Sequence, residues 1–288
     1  MKTVLFTVFA LVAFAANSVF CRLALGAATI DAASFTTLRL ASGACFLVLL
    51  TALFKERTSP TPRGNRVSAA LLFVYAIAFS FAYLGLSAGT GALILFGAVQ
   101  LTMIFAALRS GERPHPLEWA GLVLALAGMV NLVFPGLTAP TPTHSALMAI
   151  AGVSWGVYSI RGRGAKNPLA DTTHNFVYSL PLAIGVNVVM FHDLHLSAEG
   201  ALLAVVSGAL ASGVGYVVWY AALKGLTAMR AATVQLAVPV LAAAGGVIFL
   251  SEQVSLRLFL SAVVILGGVS LALAGRQVSV QTKLVKRG

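Results

Sequence analysis

The chain has 288 residues, 59% of them hydrophobic and only 9% charged, with a mean hydropathy of +0.94 and a formal net charge of +11. A water-soluble domain carries roughly 25% charged residues, so the composition excludes a soluble globule and points to a polytopic helical membrane protein. The positive charge does not indicate a nucleic-acid partner, because the basic residues lie in short segments between apolar runs rather than along one face.

Ten apolar segments follow in chain order, at about 3–26, 32–54, 67–88, 90–109, 116–134, 144–163, 170–192, 201–224, 228–250 and 255–275. Each has about the 20 residues needed to cross a hydrocarbon core of roughly 30 Å. The first run starts at Thr3 and continues past a plausible cleavage site, so it is read as a retained transmembrane helix and not as a signal peptide. Loop signals mark the breaks: Thr58-Ser59-Pro60-Thr61-Pro62, Arg113-Pro114-His115-Pro116, Pro135-Gly136, Pro140-Thr141-Pro142 and Asn167-Pro168. Segments three and four meet at Ala88-Gly89-Thr90-Gly91 with almost no linker, and segments eight and nine meet at the equivalent place. Cys21 and Cys45 fall inside apolar runs and are read as small packing residues.

Alternate loops differ in basic charge. Sixteen of the nineteen Lys and Arg residues fall on one side: Lys2, the 55–66 loop, Arg109 and Arg113, Arg161 to Lys166, Lys224 and Arg230, and the tail from Arg276. The positive-inside rule then places both termini in the cytoplasm.

The chain also repeats itself with an offset of 140 residues. Gly85-Leu86-Ser87-Ala88, Gly111-Glu112 and Gly128 recur as Gly225-Leu226-Thr227-Ala228, Ser251-Glu252 and Gly268. The same register pairs Asp31 with Asp171 and Ala15-Ala16 with Trp155-Gly156. The expectation is two five-helix units, residues 1–140 and residues 141–288, the second ending in a short basic cytoplasmic tail. Five is odd, so the second unit enters the membrane from the opposite side. An all-α integral membrane protein with ten transmembrane helices in a 5+5 inverted repeat is an architecture of secondary transporters.

Polar groups within membrane spans are costly, which makes each a candidate for function. Asn17 stands in segment one; Tyr75, Phe79 and Tyr83, four residues apart, share one face of segment three. Phe96 and Gln100 lie one turn apart in segment four, and Trp155, Tyr158 and Ser159 share a face of segment six. Segment eight adds Tyr216, Trp219 and Tyr220, and segment nine adds Gln235 one turn before Pro239, a hinge candidate. These residues are read as lining a substrate cavity; the alternatives are interfacial aromatic belts for the rings and interhelical hydrogen bonds for the amides.

No Asp or Glu falls in the middle of a span, so a buried carboxylate proton relay is not expected. Arg39, within segment two, either holds a carboxylate bidentately or, more ordinarily, snorkels or anchors a helix end. Glu112 and Glu252 are read as structural groups at helix ends. The five histidines lie in or beside loops, and no catalytic, phosphate-binding or metal motif is present. His192, Asp193 and His195 are read as a solvated turn. The expectations are therefore a carrier and not an enzyme, no cofactor, no metal, no nucleic acid, and a lipid bilayer and a small-molecule substrate as partners of a chain compatible with a monomer.

Ten spans, the five-plus-five repeat, Trp155-Gly156, and the paired turns Gly111-Glu112-Arg113 and Ser251-Glu252-Gln253 resemble the drug/metabolite transporter (DMT) superfamily in its EamA-type branch. The interior, rich in rings and free of carboxylates, is similar to the YddG-type exporters of aromatic and other neutral amino acids. Ala15-Ala16, where that family often has Trp-Gly, departs from the pattern. The resemblance implies an exporter in the bacterial inner membrane whose cavity is built by segments one, three, four, six, eight and nine. It implies alternating access as the mechanism. Other small metabolites or cationic lipophilic drugs are the alternative cargo, and an intramembrane enzyme, for which no catalytic set is found, is the disfavoured alternative class.

Overall fold

The computed structural model describes residues 2–53, 65–86, 88–111, 115–133, 141–250, 256, 259–260 and 263–272. These residues are helical apart from short turns and one isolated antiparallel bridge between Ile30 and Leu196. In chain order the helices are α1 (Lys2–Gly26), α2 (Ala32–Leu53), α3 (Arg66–Ala82), α4 (Ala88–Arg109), α5 (Pro116–Val133), α6 (Pro142–Gly162), α7 (Pro168–Val189), α8 (Ala198–Val206), α9 (Gly215–Leu223), α10 (Ala228–Gln235), α11 (Ala237–Leu250) and α12 (Val263–Ala272). Among the described residues, four stretches are long and apolar enough to cross a bilayer: Lys2–Gly26, Ala32–Leu53, Ala198–Leu223 and Arg230–Phe249.

Local chemistry sets where these helices start. Asn65 and Asn167 cap α3 and α7 by accepting from the backbone N–H of Val67 and Ala170, while Ser197 and Thr227 do the same for α8 and α10. Pro142 and Pro168 occupy first-turn positions, where proline's missing N–H costs nothing. Helix α3 ends at Ala82, earlier than the hydropathy pattern suggests, because the chain turns through Tyr83–Leu86.

Among the described residues, two spans are interrupted. The eighth predicted segment widens into a π-helical stretch at Ser207–Val214, where the N–H of Gly215 reaches the carbonyl of Leu210 five residues back. The ninth breaks at Leu236, three residues before Pro239, which has no N–H to return to Gln235.

The exterior is apolar. Val4, Leu5, Val8, Phe9 and Val12 line the outer face of α1, and Leu101, Phe105, Val188, Val189 and Ile248 are also well exposed. Cys45, expected as a packing residue, is on this outer surface too, whereas Cys21 is buried. The large buried rings and buried polar groups lie inside the bundle. This is the reverse of a soluble protein and matches a hydrocarbon surround.

Side-chain contacts fix the two ends of the bundle. Thr3 lies beside Gly225, Thr51 against Thr173, Arg161 on Ser68 and Arg230 on Glu118 at one end. Arg22 meets the Tyr83 carbonyl, Gly85 meets His144, and Ile30 pairs with Leu196 at the other. Helix α1 therefore begins at the end where α6, its equivalent 140 residues on, finishes. Packing follows the same exchange: α6 lies against α3 and α4, while α1 lies against α9 and α11. Glu112 and Glu252 lie outside the described residues.

Candidate substrate site

A cluster of rings occupies the middle of the bundle. Trp155 sits 5.1 Å from Phe14, 5.1 Å from Tyr75, 4.7 Å from Tyr216 and 5.6 Å from Tyr158, centroid to centroid. Phe14 continues to Trp219 at 5.5 Å, and Tyr158 continues to Tyr220 at 5.2 Å. Phe79 joins Tyr75 at 5.5 Å and Tyr83 at 4.7 Å, so the stripe on α3 forms one arm of the cluster. All of these rings are buried. Trp155 and Trp219 thus face inward, away from the lipid.

The polar ring atoms of α6 and α9 have defined partners. The indole of Trp155 donates to the side-chain oxygen of Gln235 at 2.8 Å, and that of Trp219 donates to Ser159 at 3.1 Å. Gln235 itself donates to the Ala231 carbonyl. The Tyr220 hydroxyl donates to the Tyr158 carbonyl, and Asn175 donates to the Tyr158 hydroxyl. Gln100 reaches across to the Ala232 carbonyl and ties α4 to α10, the interhelical role set out above as its alternative. Phe96 is buried on the same helix.

A second layer is polar. Asn17 bonds to Ser207, Ser212 and Tyr216. In a regular α-helix, residues five apart do not share a face; the wide π turn brings Ser207 and Ser212 together around Asn17. Arg39 does not snorkel. It is 1% exposed and points into this layer, donating from Nε to Ser212 at 2.9 Å and from one terminal nitrogen to Tyr216 at 2.7 Å and Tyr75 at 3.4 Å. Its guanidinium also lies 5.4 Å from the ring centres of Tyr75 and Phe79. Gly208 permits this approach, because a Cβ there would overlap the Arg39 carbonyl oxygen.

At the basic end, a cavity of about 360 Å³ is lined by Asn65, Ser68, Arg161, Asp171, Asn175 and Tyr220 among others. Tyr220 therefore separates this vestibule from the ring cluster. Gly162 makes room for it, since a Cβ at that position would collide with the Tyr220 ring. At the other end the chain is latched. Asp31 accepts from the N–H of His195 and of Ser34, its own N–H donates to the His195 carbonyl, and Ser197 donates to Thr29.

Phe14, Ser207, Ser212, Asn175 and Phe176 join the site without having been singled out in the sequence. Phe14 is one ring in an apolar run, Asn175 and Phe176 lie in the seventh segment, and the small-polar spelling Ser207-Gly208-Ala209-Leu210-Ala211-Ser212-Gly213 is a signal for Ser207 and Ser212 alone.

An apolar-walled helical bundle with a broken-helix polar centre defines a membrane transporter. Comparison with known proteins makes the assignment specific. The EamA-like transporter family matches residues 1–134 and again residues 144–274, and the chain belongs to that family, within the DMT superfamily. It is 48% identical over 275 residues, 96% of each chain, to an uncharacterized protein of Pseudomonas aeruginosa. It is 27% identical over 240 residues to a probable amino-acid metabolite efflux pump of Escherichia coli, covering 73% of this chain and 78% of that protein. One solved crystal structure shares the fold with a TM-score of 0.71 at 22% identity, over 93% of this chain and 97% of that one.

Proposed function

We propose that the protein is a secondary transporter that exports neutral amino acids, aromatic ones foremost, across the bacterial inner membrane by alternating access. The observation that carries this reading is the cluster joining Phe14, Tyr75, Trp155, Tyr216 and Trp219, drawn from α1, α3, α6 and α9. Such walls bury an apolar side chain, and the adjoining Asn17, Gln235 and hydroxyl groups suit the polar end of a small zwitterion. The name of the Escherichia coli relative, a probable amino-acid metabolite efflux pump, agrees with this cargo.

The architecture proposed is ten spans in two inverted five-helix units, residues 1–140 and 141–288. The antiparallel placement of α1 and α6 and the exchanged packing of their neighbours support it. With the basic end in the cytoplasm, the vestibule beside Tyr220 opens inward while the Asp31–His195 latch closes the outside. Substrate then enters past Tyr220 and Tyr158, and rocking of the two units about the ring cluster breaks the latch and releases it outside. Pro239 and the break at Leu236 supply a place for α10 and α11 to bend. A lipophilic cation is the weaker cargo, because Arg39 puts positive charge among the rings. An intramembrane enzyme is the disfavoured alternative class, since the matching family is one of transporters.

Cells expressing the protein are expected to tolerate toxic aromatic amino-acid analogues better than cells without it. Trp155→Ala or Gln235→Ala should remove that protection at normal membrane abundance. Unchanged tolerance in both variants would reject the pocket.

A further inference from the structure

Arg39 is a permanent cation sealed inside the bundle, with no carboxylate within ion-pair distance among the described residues, whereas Arg230 is paired with Glu118. Burying an unpaired charge is strongly unfavourable, and more so in a hydrocarbon surround. Three neutral hydroxyls take part of the load: Ser212 accepts from Nε, and Tyr216 and Tyr75 accept from Nη2. The other terminal nitrogen, Nη1, is buried without any acceptor. A guanidinium has five donors in a planar fork, so the two N–H groups of Nη1 remain unspent in the layer that borders Tyr75 and Tyr216. Both tyrosines are also walls of the ring cluster, at 5.1 Å and 4.7 Å from Trp155.

We propose that Arg39 is the anion subsite of the carrier and receives the carboxylate of the transported molecule through Nη1, so that the cargo completes the charge balance of an otherwise uncompensated core. This rests on the carrier reading above and narrows its substrate class to molecules with a ring or apolar side chain attached to a carboxylate. Arg39 touches Tyr75 and Tyr216 of the ring cluster and is not among the residues lining the vestibule, so the acid group would lie toward Arg39 and the side chain among the rings.

The test compares L-phenylalanine with its amide, a near-isostere without the negative charge, in equilibrium binding to the purified full-length chain. Wild type should bind the acid about ten-fold or more tightly than the amide, the scale of one charge-assisted bond. Arg39→Gln should lose that preference, with the two ligands within about two-fold of each other. Arg39→Lys keeps the charge but not the fork, and should keep the preference with weaker binding of the acid; it serves if the glutamine variant does not fold. Equal binding of acid and amide by wild type, or an unchanged preference in Arg39→Gln, would overturn the subsite and leave the carrier reading standing. Binding of neither ligand by wild type would overturn the amino-acid reading and the subsite with it.

Discussion

Trp155 and Gln235, 80 residues apart, are joined by a 2.8 Å hydrogen bond from the indole N–H to the side-chain oxygen. The bond links α6 to the last residue of α10, where the ninth span breaks. It therefore ties the ring cluster to the break in the ninth span.

Removing either partner should act on stability and transport together. Gln235→Ala leaves the buried indole N–H without an acceptor, which costs about 1–3 kcal/mol, and should lower the melting temperature. Trp155→Phe keeps a ring but removes the donor, so a smaller loss is expected. Thermal unfolding of both purified variants checks the order.

The ion pair between Arg230 Nε and Glu118 at 3.0 Å, with both side chains only 9% exposed, clamps α10 to α5 at the basic end. Glu118 also accepts from the N–H of His115 and so caps its own helix. Removing one partner of a buried pair leaves the other charge stranded and costs about 3–5 kcal/mol. Glu118→Gln should therefore destabilise strongly. Combining Glu118→Gln with Arg230→Met in one chain should destabilise less than the two single changes added. Additive losses in a double-mutant cycle would show that the pair is not coupled.

Gly208 lies where α2 and the π-helical stretch touch backbone to backbone. Gly208→Ala forces Cβ into the Arg39 carbonyl. Overpacking of this kind costs about 1–3 kcal/mol, and here it also displaces Arg39 and Ser212. The expected result is a lower melting temperature with cargo binding reduced beyond the loss of folded protein, measured on the same preparation.

The latch at the far end offers a conformational readout. Asp31 both caps α2 and holds the N–H of His195 at 2.9 Å. Asp31→Ala should loosen the outer closure and favour the outward-open form. In a Cys45→Ala background, labelling of the buried Cys21 by a membrane-impermeant thiol reagent from outside should rise. Unchanged labelling would mean the latch does not hold that side shut.

Much of this was legible in the sequence because hydropathy and loop charge act along the chain. The apolar segments and the 140-residue offset are read without tertiary information, and the rings of α3, α6 and α9 stand out by helical spacing. Arg39 shows what the sequence conceals. Seen alone it resembles a snorkelling residue near a helix end, since its partners Ser212 and Tyr216 are 173 and 177 residues away. The π turn that aligns Ser207 with Ser212 is similarly hidden, because it depends on one extra residue per turn and not on any residue type. Phe14 is invisible for a simpler reason: an apolar ring in an apolar run carries no contrast.

Counterflow of labelled L-phenylalanine in proteoliposomes tests the carrier account most directly. Vesicles preloaded with unlabelled L-phenylalanine and containing the wild-type protein should accumulate label well above protein-free vesicles, and folded Trp155→Ala should fall to the protein-free level. Wild type indistinguishable from empty vesicles, or Trp155→Ala indistinguishable from wild type, would contradict the account.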